Sequence, residues 1–352
     1  MEMVRGAALK IAPVVVLCGA VSGCAVLTGG EVSRSGQDRN SERTYRVTAT
    51  VSVGQSPAGV AVDPSTRTVY VANRGDDTVS VIDGSKGTVA ARIPVGAKPS
   101  AVAVDADTNT VFVTHIFDNT VSVIDGSTRT VTATVPVGRL PVDLAVNPAN
   151  HMVYVANAND STLSIIDAAT RSVVATVPVS MNASGVAVDP DTNTIYVTSE
   201  TFAANRPITG ADLVSEIDGA TRTVTATVSV GPGPRGVAVD PAAHSVYVAS
   251  FWQSAVTVID GASRAVTATV PVDRISAVGG LAVDPGDRTL YVLTEGSPRD
   301  PGSVAVIDTS TLTVAATVTV GRRPRGVAVD PGAHVAYVTN EEDGTVSVIE
   351  TQ

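Results

Sequence analysis

Short runs of valine, alanine and isoleucine recur along the chain, and turns rich in Asp, Asn, Gly and Pro separate them. The segment TVSVIDGSTRTVTATVPVG at residues 120–138 has near copies at residues 78–96 and 255–273. Alternating apolar and polar positions and an abundance of β-branched residues favour strands within each copy. The pattern therefore predicts an all-β protein that is built from one repeated unit.

Each repeat reads as four strands, represented by GVAVD, TVYVAN, TVSVID and TVTATVPVG. The polar residue that ends the first strand recurs seven times, at spacings of 42, 42, 42, 51, 44 and 46 residues. Its positions are Asp63, Asp105, Asn147, Asp189, Asp240, Asp284 and Asp330. Four strands per repeat of this length are typical of a β-propeller blade, so the sequence predicts a seven-bladed β-propeller with four antiparallel strands per blade.

The two ends of the chain predict how the ring closes. The fourth strand of several repeats contains proline, which cannot donate to a strand ladder and therefore favours the outer edge of the blade. A strand of this outer type, residues 46–53, precedes the first complete repeat, and the chain ends just after a third strand, residues 345–350. We expect residues 46–53 to supply the missing outer strand of the last blade.

The N-terminus differs from the repeats. Arg5 and Lys10 form a basic region before a short apolar stretch, residues 11–20, which is too short to span a bilayer. The stretch leads into VSGC, ending at Cys24, and resembles a bacterial lipoprotein signal; a plain secretory signal with a chance cysteine is the alternative. We predict a signal peptide at 1–23, a flexible tether at 24–45 that is lipidated at Cys24, and the propeller at 46–352. The protein would then be exported and anchored to the bacterial cell membrane or envelope.

Composition narrows the classes of function. The net charge of −10 argues against a protein that binds nucleic acid over its whole surface. The chain has two cysteines and no Cys/His cluster or haem attachment motif, so we expect no disulfide scaffold, no metal and no cofactor. Nothing in the sequence requires an oligomer.

Length variation falls on one side of the predicted disc. The connections between second and third strands, and those from each outer strand to the next inner strand, carry all the insertions, as at residues 196–218 and 291–308. We call this side the variable face and the opposite side the constant face. Insertions on one face of a repeat protein favour a binding surface there, although neutral drift in exposed loops gives the same pattern.

Aromatic and basic residues are concentrated on the variable face. Phe117, Phe202, Phe251 and Trp252 lie in its connections, where they either contact a ligand or pack the loops onto the disc. Basic residues outnumber acids in the outer-to-inner connections, which favours an anionic ligand over the axis, unless they form salt bridges with neighbouring acidic loops. We expect Arg235 and Arg325, at equivalent places, to lean toward a common axial space. The predicted ligand-binding residues are Lys98, Phe117, Arg139, Arg235, Phe251, Trp252, Arg322 and Arg325.

Two acids interrupt the repeat pattern. Glu216 replaces an aliphatic residue of a third strand, with Arg206 within reach as a partner, and Asp143 replaces a small residue at the start of an inner strand. A buried carboxylate is costly unless it is paired. Each acid is therefore either a satisfied structural group or a candidate catalytic or metal-binding carboxylate.

The motif YVTN at residues 337–340, with its variants YVAN, YVTS and YVAS in other repeats, resembles the YVTN-repeat β-propellers of secreted and surface proteins. The resemblance covers nearly all of the chain after residue 45 and extends to lactonase-like propellers. It implies the fold but leaves the function open. We expect a non-catalytic, lipid-anchored binding or scaffold module for an envelope protein, a glycan or a small anionic ligand. The alternative is a lactonase-like hydrolase or lyase with an axial carboxylate or metal site that uses Asp143 and Glu216.

Overall fold

A computed structural model describes residues 43–200, 212–276, 280–295 and 300–351, together with the backbone of two short strands at 202–203 and 206–207. The predicted signal peptide, Cys24 and the tether up to residue 42 lie outside the described residues. The side chains of Phe202 and Arg206 lie outside them as well.

The described strands form seven four-stranded antiparallel sheets and one two-stranded ribbon. The inner strands are β2 (Pro57–Asp63), β6 (Pro99–Asp105), β10 (Pro141–Asn147), β14 (Ala183–Asp189), β20 (Pro234–Asp240), β24 (Leu281–Asp284) and β28 (Pro324–Asp330). The second strands are β3 (Thr68–Asn73), β7 (Thr110–His115), β11 (Met152–Asn157), β15 (Thr194–Ser199), β21 (Ser245–Ser250), β25 (Thr289–Thr294) and β29 (Val335–Asn340).

The third strands are β4 (Thr78–Asp83), β8 (Thr120–Asp125), β12 (Thr162–Asp167), β18 (Leu213–Asp218), β22 (Ala255–Asp260), β26 (Ser303–Asp308) and β30 (Thr345–Thr351). The outer strands are β5 (Thr88–Pro94), β9 (Thr130–Pro136), β13 (Ser172–Pro178), β19 (Thr223–Ser229), β23 (Val266–Pro271), β27 (Thr313–Thr319) and β1 (Tyr45–Ser52). The ribbon of β16 (Phe202–Ala203) and β17 (Arg206–Pro207) lies in the long connection of blade 4. The predicted seven blades are confirmed.

The ring closes as predicted. Inner strand β2 packs against both β6 and β28, so that the first blade neighbours the last. β1 pairs antiparallel with β30, from Tyr45 opposite Thr351 to Ser52 opposite Thr345. The N-terminal strand thus completes blade 7, and the sheet of that blade is built from both ends of the described chain.

The core lies between the blades. Second and third strands are buried on both faces, because each blade is covered by its neighbours, whereas the outer strands are mostly exposed and bury at most one residue each. The prolines at the ends of β5, β9, β13 and β23 are exposed, as expected for edge strands. No helix among the described residues combines the length and the apolar character that crossing a bilayer requires.

Side chains on the constant face join neighbouring blades. The residue three positions before the strand aromatic adopts a left-handed backbone in every blade and points to the preceding blade in several of them. His151 and His334 each hold Nδ1 2.8 Å from the fully buried carboxylate of Asp105 and Asp284, respectively. Where the preceding blade carries Asn147, the partner is Asn193, whose Oδ1 accepts from the Asn147 amide at 2.8 Å. The constant loop length on this face keeps the bridging residues at equivalent positions in their blades.

We expect the bridge at His334 to make stability depend on pH. The hydrogen bond to Asp284 raises the pKa of His334 above its ordinary value. The stabilisation is therefore complete below the unfolded value of about 6.5, and it is lost as the pH rises through the higher folded value. His334→Asn should lower the melting temperature more at about pH 5.5 than at about pH 8.5. Asparagine suits the left-handed position, since Asn109 and Asn193 hold it in other blades.

Arg288→Asn is the matched control for this experiment, because Arg288 occupies the same left-handed position in blade 6 and does not titrate in that range. A destabilisation by His334→Asn that is equal at both pH values would contradict the assignment.

Candidate functional site

A cavity of about 630 Å³ lies on the propeller axis. Its walls are the first residues of the inner strands and the residues that follow the second strands, such as Ile116 and Glu200. These are the connections of the variable face, so the cavity belongs to the side on which the repeat lengths vary. Its volume falls within the range of small-molecule sites, which is roughly 300–1,000 Å³.

Three arginines line the cavity: Arg74, Arg235 and Arg325. The structure thus places Arg235 and Arg325 in a common axial space, as the sequence led us to expect. Arg74 was not identified from the sequence. It directly follows a second strand, at the position that Ile116 and Glu200 hold in blades 2 and 4, and a comparison of that position across the repeats would have revealed it.

The three arginines differ in their partners. Arg235 Nη2 lies 2.8 Å from Glu200 Oε2, and Arg325 Nη1 lies 2.9 Å from Glu341 Oε2. Among the described residues, no carboxylate forms an ion pair with Arg74. Burial lowers the pKa of Arg74, and the guanidinium of Arg325 lowers it further. The carboxylate of Glu341 opposes this shift only in part, so Arg74 is a partly desolvated cation near the Arg325–Glu341 pair.

The other predicted basic residues lie outside the cavity lining. Arg139 pairs with Asp160 at 2.6 Å, and Arg322 pairs with Asp343 at 2.7 Å. Lys98 donates from Nζ to the carbonyl oxygen of Arg74 at 3.3 Å. Arg139 and Arg322 therefore form salt bridges with neighbouring acidic loops, which was the alternative to ligand binding that the sequence left open.

The aromatic residues lie at the rim. Trp252 is 60% exposed and meets Phe251 edge to face, with ring centroids 4.7 Å apart. Its Nε1 donates to Glu200 Oε1 at 3.2 Å, so Glu200 joins the indole to Arg235 of the cavity wall. Phe117 is 65% exposed and follows Ile116, which lines the cavity. Glu200 thus connects Trp252 to Arg235, and no feature of the sequence distinguished it.

Asp143 is a carboxylate in the cavity wall. Its two oxygens accept backbone N–H groups of Leu144 and Val186, each at 2.9 Å, and the second bond crosses to the inner strand of blade 4. The part of the side chain that solvent reaches faces the cavity rather than the outer surface. Burial outweighs the two hydrogen bonds and raises the pKa of Asp143 to about 6. The side chain is a satisfied inter-blade group that also presents a carboxylate to the cavity.

Glu216 lies elsewhere. It is 8% exposed on β18 and does not line the cavity. Arg264 of blade 5 binds it through two hydrogen bonds, Nε to Oε2 at 2.8 Å and Nη2 to Oε1 at 2.7 Å. Arg264 is thus the described partner, and the side chain of Arg206, which the sequence suggested, lies outside the described residues. Asp143 and Glu216 do not meet in one site, because a third-strand position faces the neighbouring blade rather than the axis.

Asp284, Asp287 and His334 form a group with metal-ligand geometry, their ligand atoms lying within 4.8 Å of one another. The group lies on the constant face, and two of its members form one of the recurrent inter-blade bridges. Asp287 also pairs with Arg43 at 3.1 Å. We therefore assign the group to blade packing.

Comparisons with known proteins agree on the architecture. The family model of YNCE-like β-propellers matches residues 86–207, from the last turn of blade 1 into blade 4. Hydrazine synthase from Kuenenia stuttgartiensis contains a chain of similar structure, with a TM-score of 0.73 and 21% sequence identity over 84% of this chain and 95% of that chain. No curated protein sequence matches the chain.

These matches are consistent with the resemblance to YVTN-repeat propellers. Because 1512 solved chains match the structure, the likeness identifies a fold and not an activity. Function has to be inferred from the cavity.

Proposed function

We propose that this propeller is a non-catalytic binding module that holds a small anionic ligand in the axial cavity of its variable face. The proposal depends on one observation: Arg74 and Arg325 line the same cavity, and Arg74 has no carboxylate partner among the described residues. An anion bound beside Arg74 would neutralise its guanidinium and replace water that it lost on burial, and Arg325, which is paired with Glu341, could donate a further hydrogen bond to the same anion.

The dimensions of the site favour a small ligand over a protein or a long glycan. Arg74, which has no carboxylate partner in the described part of the chain, lies in a partly open cavity of about 630 Å³, whereas the outer cations Arg139 and Arg322 are neutralised by acids of the same face. Trp252 and Phe251 stand at the rim and are available for a part of the ligand that projects from the cavity.

A lactonase-like hydrolase or lyase is the second candidate, and one observation favours it. A carboxylate with a pKa of about 6, such as that of Asp143, is suited to accept or donate a proton near neutral pH. Glu200 also lines the cavity, but Arg235 and Trp252 engage both of its oxygens. A metal-assisted reaction needs several converging oxygen ligands, and this engagement is why binding remains our first proposal.

We also propose that the module works at the cell envelope. The basic n-region, the short apolar stretch and the VSGC sequence support export and lipidation at Cys24. The polar, Gly- and Ser-containing segment that follows suits a tether between a membrane surface and the propeller. The partners would then be the membrane, through the lipid, and the ligand on the variable face.

Substitution of Arg74 tests the binding site. Arg74→Gln and Arg325→Gln should each weaken the binding of acetate, phosphate or another small anion about 10- to 100-fold, because a hydrogen bond to a charged group contributes roughly 1.5–3 kcal/mol. Affinity should also fall as salt rises, since ions screen exposed charges. Isothermal titration calorimetry of an anion panel measures both effects.

Arg129→Gln, on the constant face, is the control and should bind as the parent protein does. Loss of binding in this control, with normal binding by Arg74→Gln, would mean that the ligand binds the constant face and that the proposed site is wrong. Turnover of simple esters or lactones that disappears in Asp143→Asn would instead support the hydrolase.

A further inference from the structure

Aliphatic residues of several blades line the axial cavity, and its charged residues are unevenly distributed around the ring. Blades 7 and 1 contribute Arg325 and Arg74. Blades 2 and 3 contribute Ile116, Leu140 and Val142, three aliphatic side chains on adjoining parts of the ring. One side of the cavity therefore attracts negative charge, and another side offers an apolar surface.

Leu140 is an unexpected residue at its position. It has a φ of 55°, in the left-handed region, where the branched side chain of leucine is disfavoured. The same position in other blades is held by Ser56, Lys98, Asn182, Gly233 and Arg323. Leu140 is also partly exposed at the cavity. A leucine that is both conformationally costly and exposed to solvent at a cavity wall is accounted for by an apolar group that packs against it.

Val142 also differs in polarity from the residues at its position in neighbouring blades. Blades 2 and 4 carry Ser100 and Ser184 at the equivalent place, and both of these serines line the cavity. A small polar residue therefore fits the position, yet blade 3 has a partly exposed valine there. Leu140 and Val142 thus distinguish blade 3 from these repeats, and the side chain of Val142 also packs in part against the core cluster of blades 3 and 4.

We infer that the ligand is an organic monoanion with an apolar body, whose acidic group binds Arg74 and Arg325 and whose alkyl or aryl body packs on Ile116, Leu140 and Val142. The inference rests on the proposed anion site and names its ligand class. The carboxylate of Asp143 lies beside the apolar wall and disfavours a second negative group at that end of the ligand. The class thus differs from phosphate, from polyanions and from acidic sugars, which carry no apolar body.

Unbranched carboxylates of increasing length test the inference. The probes are acetate, butanoate, hexanoate and octanoate, with inorganic phosphate and glucuronate as polar anions. Titration calorimetry uses the full chain carrying Cys24→Ala, so that no detergent competes for the site. Affinity should rise about fourfold per methylene group until the apolar wall is covered, because a buried methylene contributes a constant increment. Phosphate and glucuronate should bind no more tightly than acetate.

Two sets of variants separate the head group from the body. Leu140→Asn with Val142→Ser gives blade 3 the residues of blade 4 and should remove most of the gain per methylene. Asparagine is also favourable at the left-handed position, so this variant is expected to fold. Arg74→Gln should weaken every carboxylate of the series. Val266→Thr, an exposed position on outer strand β23, is the matched apolar-to-polar control and should leave the whole series unaffected.

The outcomes distinguish the two proposals. Equal affinities for acetate and octanoate, both sensitive to Arg74→Gln, would overturn the apolar body and leave the anion site standing. Binding of octanoate that neither set of variants changes would overturn both proposals, as would the absence of binding by every anion tested. Tighter binding of 8-aminooctanoate than of octanoate would show that Asp143 receives a cation, and the monoanion class would be wrong.

Discussion

A chain that begins at residue 55 should melt about 10 °C below one that begins at residue 44, or fail to fold cooperatively. The shorter chain lacks β1, which is the outer strand of blade 7. Val51 and Val53 are buried there in one cluster with Val69 and Val346, and therefore join the last blade to the first. Burying a valine side chain contributes roughly 1.5–3 kcal/mol, and removal of β1 also exposes an unpaired edge on β30.

Two measurements make this prediction specific. A peptide with the sequence of residues 44–54, added in trans, should restore part of the lost melting temperature, because it supplies the missing strand. Val51→Asp should destabilise the full chain strongly, whereas Thr50→Asp, at an exposed position of the same strand, should have little effect. Equal melting temperatures of the longer and shorter chains would mean that the ring does not depend on β1.

Cys24→Ala should release the protein from the membrane fraction of a bacterial host and abolish the incorporation of labelled fatty acid. The expected effect is nearly complete, since the acyl chains of a lipoprotein anchor it durably and no other anchor is part of the proposal. Fractionation after ultracentrifugation and acyl labelling measure the two effects independently.

Cys18→Ala is the matched control, because Cys18 lies in the segment that the proposed cleavage removes. It should leave both labelling and membrane association intact. Persistence of both in Cys24→Ala would contradict lipidation at that residue, and loss of both in Cys18→Ala would place the modified cysteine wrongly.

The architecture was predictable from the sequence because a repeat records it seven times. The regular return of Asp63, Tyr70 and Asp83 defines the strands of a blade, and exposed prolines such as Pro94 identify the outer edge. Closure was predictable as well, since the chain starts the pattern with a fourth strand and ends it with a third. Each of these features is local in the sequence or recurs periodically along it. They can therefore be recognised without knowing which distant residues are in contact.

The axial site was predictable only in part. Arg235 and Arg325 occupy equivalent positions in two repeats, so the symmetry of the ring already directs them to one space. Arg74 belongs to a different connection, and its approach to Arg325 depends on blade 1 lying next to blade 7. Closure of the ring brings together residues that are far apart in sequence, and it thereby creates the pair of cations on which the proposed function depends.

The partners of the acids were decided by tertiary structure alone. The sequence marked Glu216 as an exception to its repeat, but it did not indicate Arg264 of the next blade, which forms the described ion pair. Likewise, the sequence did not connect Glu200 with Trp252 and Arg235. The repeat by itself determined the blades, their order, their outer edge and the closure of the ring. The pairing of acids with arginines, and the choice of the arginine that faces the cavity, depend on distances across the blade interfaces. A one-dimensional sequence pattern does not contain those distances.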